Sequence, residues 1–287
     1  AMTIPREFEI PLYNQGRQFG VFLAAHALPD AVNLMQTGVG CKPKAQRQIT
    51  MHDRGREAQN KMVWSDVSEE QLIRGSAEAL RNITRETFKR RRGVSLILIT
   101  ASTAMELTGL DLPGLAAELD DELPCHVAYV PTPGTHGDHY QGYADVLAHV
   151  LGLCDWDAPV TRPTQVSLVG YPFDRYERDH PANLHELGRL LAGVGAELGP
   201  VFFSGAPLPA LQRAPDGGAV VTLPWGRPLP DAALDATGRP HLRGPAPLSA
   251  RGSRLFLDGV ADLLGLPARR VAVVAEREER KVAPLLR

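Results

Sequence analysis

The sequence predicts an α/β protein built on two doubly wound, mostly parallel sheets, and three observations predict it. Val94–Ala101, "VSLILITA", is apolar at nearly every position, the pattern of a strand buried on both faces. Strand-like and helical stretches alternate along the chain, the order that gives βαβ units. The length of 287 residues suits two units at roughly 150 residues each.

The elements read in order as follows. Gly20–Asn33 reads as a helix, because Val21, Phe22, Ala24, Ala25, Leu28 and Val32 fall at helical spacing. Gln36–Cys41, "QTGVGC", follows as a glycine-punctuated turn. Residues 47–61 are polar and show no period. A helix starts near Ser65, where Ser65 or Ser68 can cap and Asp66, Glu69 and Glu70 suit the positive end of the dipole. It runs to about Arg91, with Leu72, Ile73, Ala77, Leu80, Ile83, Thr84 and Phe88 on its inward face. The basic run Lys89–Arg92 closes it as a solvated helix end. After the strand at 94–101 come a helix over Leu112–Leu123, a strand over His126–Pro131 and a helix over Gln141–Leu153. The Pro-rich link Asp155–Pro163 separates a first domain, 1–157, from a second, 163–287. The second cycle has strands at Gln165–Gly170, within Glu197–Phe203 and at Gly218–Leu223. Its helices cover Asn183–Val194, with Leu184, Leu187, Leu190 and Leu191 inward, and Ser249–Leu264. A charged helical run fills 271–287.

Composition excludes several classes. The formal net charge is −2, too small for a protein that holds nucleic acid by bulk electrostatics. No apolar run approaches the roughly 18–20 residues a membrane span needs. The N-terminus has no basic-then-apolar leader, so a cytoplasmic protein is expected. Three cysteines, an odd and low number, exclude a disulfide scaffold, and with no Cys-x-x-Cys pair a self-contained zinc or ferredoxin-type cluster site is not expected. There is no Walker A loop and no Gly-x-Ser-x-Gly elbow.

Doubly wound sheets bind ligands beyond the C-terminal ends of their strands. Here those segments are Ser102–Asp111 and Thr132–Gly142. Cys41 follows the Gly38-Val39-Gly40 turn, where outward backbone N–H groups would lower a thiol pKa and suit a metal thiolate. The alternative is a small buried residue. His136, Asp138 and His139 lie in "GTHGDHY", as metal or substrate contacts or as a solvated loop. Glu106 shares the strand-end region with Thr103, as a structural cap or an acid. Asp174, Arg175, Arg178, Asp179 and His180 read as a charged surface loop. Cys125 and Cys154 read as inert.

Gly20–Cys41 resembles the first cluster-binding segment of the nitrogenase component 1 superfamily, where a small-residue helix precedes His-Gly-x-x-Gly-Cys. This chain has Thr37-Gly38-Val39-Gly40-Cys41, with Gln36 or Thr37 in the histidine place. Ser65–Gly75 resembles the family's acidic helix start. "LILITASTAMELTGLDL" resembles a strand followed by Cys-x-x-x-Leu-Ile-Gly-Asp-Asp-Ile, with Leu107, Gly109 and Asp111 in place. Val127–Tyr143 resembles the strand and glycine-rich loop that follow. "QVSLVGYP", "LHELGRLLAGVGAEL" and Gly244–Gly265 resemble parts of the second domain.

The resemblance implies two Rossmann-like domains of the nitrogenase component 1 type, without the superfamily's third. It implies a cytoplasmic oxidoreductase subunit that holds an iron–sulfur (4Fe-4S) cluster at a subunit interface and passes electrons to a bound substrate or metallocofactor. Cys41 would be the metal ligand. Gly38, Gly40, Thr103, Glu106, Gly109, His136 and His139 would line the cofactor. Two family cysteines are replaced, near Gln15 and near Thr103, and one thiolate cannot hold a four-iron cluster. A second copy or a paralogous partner subunit would complete it, fed by an ATP-dependent reductase protein. The alternative is a non-catalytic scaffold or carrier on the same fold, for a metallocluster, a tetrapyrrole or a partner subunit.

Overall fold

The computed structural model describes residues 16–40, 42–43, 61–171 and 179–286. They form an α/β structure with two four-stranded, all-parallel sheets. The first sheet is ordered β2-β1-β3-β4, from β1 (Ala31–Gln36), β2 (Met62–Trp64), β3 (Leu96–Ala101) and β4 (His126–Tyr129). The second is ordered β6-β5-β7-β8, from β5 (Arg162–Val169), β6 (Glu197–Val201), β7 (Gly217–Thr222) and β8 (His241–Arg243). The helices are α1 (Arg17–Ala27), α2 (Glu69–Arg74), α3 (Ala77–Arg90), α4 (Thr103–Glu106), α5 (Leu112–Glu122), α6 (His139–Gly152), α7 (His180–Val194), α8 (Leu208–Leu211), α9 (Asp231–Asp235), α10 (Ala250–Leu264) and α11 (Ala268–Val282).

Period-2 alternation along the strands builds the layers. Leu96 and Leu98 of β3 face α1 and α6, while Ile97 and Ile99 face Leu80 of α3 and Leu115 and Leu119 of α5. In the second sheet Val169 and Val220 face the same α1–α6 layer. Leu168 and Val221 face away, toward α7, α10 and α11. One helical layer thus serves both sheets, and its core joins Val21, Leu147 and Val150 to Phe202, Phe203 and Leu208. Across it Leu208 N–H donates to the Asp30 carboxylate (3.0 and 3.1 Å), and the buried Tyr143 hydroxyl donates to the Tyr171 carbonyl (2.8 Å).

Two sequence expectations are corrected. The helix expected over Gly20–Asn33 ends at Ala27, and Pro29-Asp30 separates it from β1. Val32 matched the helical period but belongs to a central strand buried at all six positions, so two apolar stretches abutting across a short turn imitated one helix. The helix expected from Ser65 to about Arg91 is two, broken at Gly75 with φ +98°. The break turns α2 away from the inward face of α3. Leu72 and Ile73 are therefore 43% and 87% exposed, whereas Leu80 and Thr84 are buried as expected. Ser68, not Ser65, caps α2. Its hydroxyl accepts from Gln71 N–H, and Gln71 Oε1 accepts from Ser68 N–H. The short strands β2 and β8 were not expected. No described helix is long and apolar enough to cross a membrane.

Candidate functional site

The C-terminal ends of β1, β3 and β4 emerge side by side, and there the apolar strands turn polar. Asn33, Gln36, Thr37, Thr100, Ser102 and Thr132 are all buried. Asn33 and Thr100 sit on neighbouring strands, where Asn33 Nδ2 donates to the Leu98 carbonyl (3.1 Å) and to Thr100 Oγ1 (3.2 Å). Gln18 of α1 donates to Thr100 Oγ1 (3.0 Å), and its Oε1 lies 3.0 Å from the Thr132 hydroxyl. That hydroxyl also lies 2.8 Å from the Ala101 carbonyl. Polar side chains thus dock α1 onto the strand ends. Beside it, Gln36 Nε2 donates to Ser76 Oγ (2.9 Å), both residues buried. Gln36 Oε1 and Ser102 Oγ are buried with no hydrogen-bond partner among the described residues. Buried polar atoms are rarely left so unless water or a ligand serves them.

The turn before Cys41 is fastened to the segment after β2. Ser65 Oγ accepts from Thr37 N–H (2.9 Å), Val67 N–H donates to the Thr37 carbonyl (2.9 Å), and Gly38 bridges Val67 in parallel. On the far side Lys42 pairs with Asp66 (2.7 Å), a residue held at φ +47°. Gly38 is half-buried and Gly40 exposed. Cys41 itself lies outside the described residues, as do Gln15 and the loop residues Asp174, Arg175 and Arg178.

Thr103 opens α4 at the end of β3 and is exposed, with its hydroxyl against Gly134, where a Cβ would overlap it. Glu106 is half-buried and tied down: its carboxylate accepts from Thr132 N–H (3.0 Å) and from the Tyr129 hydroxyl (3.2 Å). Burial first, and then the Glu106 charge, push the Tyr129 phenol up to about 12. Gly109 lies in the following exposed turn at φ +71°. These three residues do stand at the strand ends.

The two histidines diverge. His136 is exposed, with Nδ1 3.1 Å from Thr135 Oγ1. His139 begins α6 and packs among rings, 4.2 Å from Tyr140 and 6.2 Å from Trp225 between centroids. Asp138 caps α6, accepting from Gln141 N–H (3.0 Å). Among the described residues no group of three or more His, Cys, Asp or Glu side chains could hold a metal. The loop is pinned from α1. Arg17 pairs with Asp145 (2.6 Å), and its stem fills the space beside Gly137, where a Cβ would come 2.6 Å from Cδ.

The donor set bears directly on a cluster. At the strand ends the described donors are oxygens: Gln36, Thr37, Ser102, Thr103 and Glu106. Cys125 precedes β4 and Cys154 follows α6, so both belong to other parts of the fold. Burial pushes their thiols up to about 11 and about 12, which disfavours the thiolate a metal needs. The described residues do not fit a four-iron cluster.

Sequence reasoning missed Gln18, Asn33, Thr100 and Thr132. The available signal was the polar interruption of two otherwise apolar strands at Asn33 and Thr100.

A family model described as nitrogenase component 1 type oxidoreductase matches residues 17–287, nearly the whole chain. The chain belongs to that family. It is 29% identical over 215 residues to light-independent protochlorophyllide reductase subunit N of Synechococcus sp. (strain CC9605), a match covering 72% of this chain and 47% of that protein. It is likewise 29% identical over 203 residues to the subunit N of Parasynechococcus marenigrum (strain WH8102), covering 69% and 44%. The chain therefore spans about half the length of the curated relatives it matches. Solved structures of nitrogenase Cp1 at pH 5 and at pH 6.5 superpose with a TM-score of 0.72 at 14% and 15% identity, covering 99% of this chain and 58% and 55% of theirs. At that identity the likeness establishes the nitrogenase component 1 fold for both sheets.

Proposed function

We propose that the chain serves as one subunit of a nitrogenase-like redox complex, with the strand-end face of its first sheet turned toward a partner. One observation carries the reading. Around the polar strand ends stand Val39, Leu72, Ile73 and Leu107, large apolar residues 63%, 43%, 87% and 83% exposed. Apolar side chains gathered at one end of a sheet favour burial against another chain. The partner is a second copy or a paralogous subunit. An ATP-dependent reductase protein would deliver electrons.

A cluster at that face would take at most one thiolate from this chain, Cys41, and the remaining ligands from the partner. This chain's own part is to hold the residues on either side of Cys41, Thr37 and Gly38 through Ser65 and Val67 and Lys42 through Asp66, and to keep the strand ends ordered, through Gln18, Asn33 and Thr132. The oxygen donors Ser102 and Thr103 favour a second reading, a scaffold or carrier that has lost the cluster.

The test is iron and acid-labile sulfide in the anaerobically purified full chain, with its absorbance near 400 nm and its solution mass. An iron-bearing dimer that loses its metal on Cys41→Ser, but not on Cys125→Ser or Cys154→Ser, supports the redox reading. A colourless, iron-free protein transfers the assignment to the scaffold. Equal iron in all three variants overturns the role of Cys41.

A further inference from the structure

We propose that the N-terminus of α3, together with the amide of Gln36, binds a phosphate group that carries a proton. Gln36 ends β1 and is fully buried. Its side chain runs to the start of α3, where Nε2 donates to the hydroxyl of Ser76 (2.9 Å), the residue that precedes the helix. Oε1 of the same amide is buried without a hydrogen-bond partner among the described residues. Ser76 is itself buried, and its hydroxyl meets Gln36 instead of capping the helix. α3 is 14 residues long, so the N–H groups of its first turn carry the positive end of a full helix dipole, with no side-chain cap to receive it. Glu78, in that first turn, is turned instead to Arg81 (3.5 Å) and Arg85 (3.8 Å). Gly75 and Glu78 are exposed, so the helix end opens to solvent.

The groups at this end of α3 select the ligand. The first-turn N–H groups and the Ser76 O–H are donors, and they call for an anion with several acceptor oxygens. Gln36 Oε1 can only accept, so the ligand must also bring a hydrogen. A protonated phosphate brings both. Sulfate, which has no proton near neutral pH, would leave Oε1 buried and unserved. The site uses neither Cys41 nor iron, so it stands or falls separately from the redox reading.

Calorimetric titration of the full chain with inorganic phosphate at pH 6.5, where the anion keeps at least one proton, tests the proposal. Saturable binding is expected, with sulfate roughly tenfold weaker or more. Ser76→Asp gives α3 a carboxylate cap of its own, so it should abolish the binding while melting at or above the wild type, which a thermal scan checks. Ser76→Ala removes one donor without adding a charge and should weaken the binding several-fold. Methyl phosphate separates two sources of the group. Binding of both compounds assigns the site to a phosphate carried on a larger molecule, and binding of inorganic phosphate alone assigns it to the free anion; either result upholds the proposal. The absence of saturable phosphate binding overturns it, as does sulfate of equal affinity or a folded Ser76→Asp variant that binds phosphate like the wild type. Should Ser76→Asp not fold, unchanged affinity in Ser76→Ala overturns it.

Discussion

Gly20 lies against the carbonyl oxygen of His139 so closely that a Cβ at Gly20 would overlap it. Gly142 stands in the same relation to the carbonyl of Arg17. Two glycines, one on each helix, let α1 and α6 meet backbone to backbone in the layer that both sheets share. The consequence reaches the candidate site. α1 carries Gln18 into the strand-end network, and α6 begins where the 131–138 loop ends.

Gly20→Ala should therefore destabilise the fold by about 2–3 kcal/mol, the upper part of the usual cost of overpacking. The obstacle is backbone, which cannot swing aside as a side chain can. Gly152→Ala is the control, since it lies at the end of the same helix layer with nothing within 4 Å of an added Cβ. Urea unfolding of the two variants compares them. Equal midpoints would contradict the close approach.

Glu106→Gln should lower the Tyr129 phenol only part of the way from about 12 toward its ordinary value near 10. Burial, the larger cause, stays in place, while the charge of Glu106 is removed. Ultraviolet titration of the variant, with Tyr129→Phe subtracted to isolate one phenol, measures the change. A phenol that drops fully to its ordinary value would mean that Glu106, not burial, governs it.

Much of this architecture is legible in the sequence because parallel strands buried on both faces are continuous apolar runs. β3 shows this most clearly, at Leu96–Ala101. β1 was hidden because Asn33 and Gln36 interrupt its apolar run and because α1 ends only three residues earlier. The same side chains that concealed the strand make its polar contacts: Asn33 donates to Thr100, and Gln36 donates to Ser76. Ser65 misled in a similar way. Its type suits a helix cap, but its hydroxyl is spent on the Thr37 backbone (2.9 Å). Partners distant in sequence, such as Gln18 with Thr132 or Arg17 with Asp145, leave no local pattern to read.

Arg17 and Asp145 should be coupled by about 2 kcal/mol. Their side chains are 14% and 21% exposed, so the pair lies between a surface bridge, worth up to about 1 kcal/mol, and a buried one. Asp145 also accepts from Gln141 Nε2 (3.0 Å), so Asp145→Ala should cost more than Arg17→Ala. A double-mutant cycle on unfolding free energy measures the coupling. A value near zero would show that the pair is screened and does not anchor the 131–138 loop.

His149 should make the fold acid-sensitive. Burial pulls its pKa below the ordinary value. Asp120 opposes that shift, and His126, the other titratable neighbour, adds to it. Its Nε2 is buried with no hydrogen-bond partner among the described residues, so nothing there rewards the cation. As pH falls through about 6.5 the unfolded chain takes up this proton before the folded one does. The contribution is therefore complete above about pH 6.5 and is lost progressively as pH drops toward the lowered folded value. His149→Gln removes the ionisation while keeping a polar side chain. The difference in unfolding free energy between pH 7.5 and pH 5.5 should then be smaller in the variant than in the wild type. Identical pH dependence in the two proteins would mean that His149 protonates in place, without breaking the packing of α6 on the first sheet.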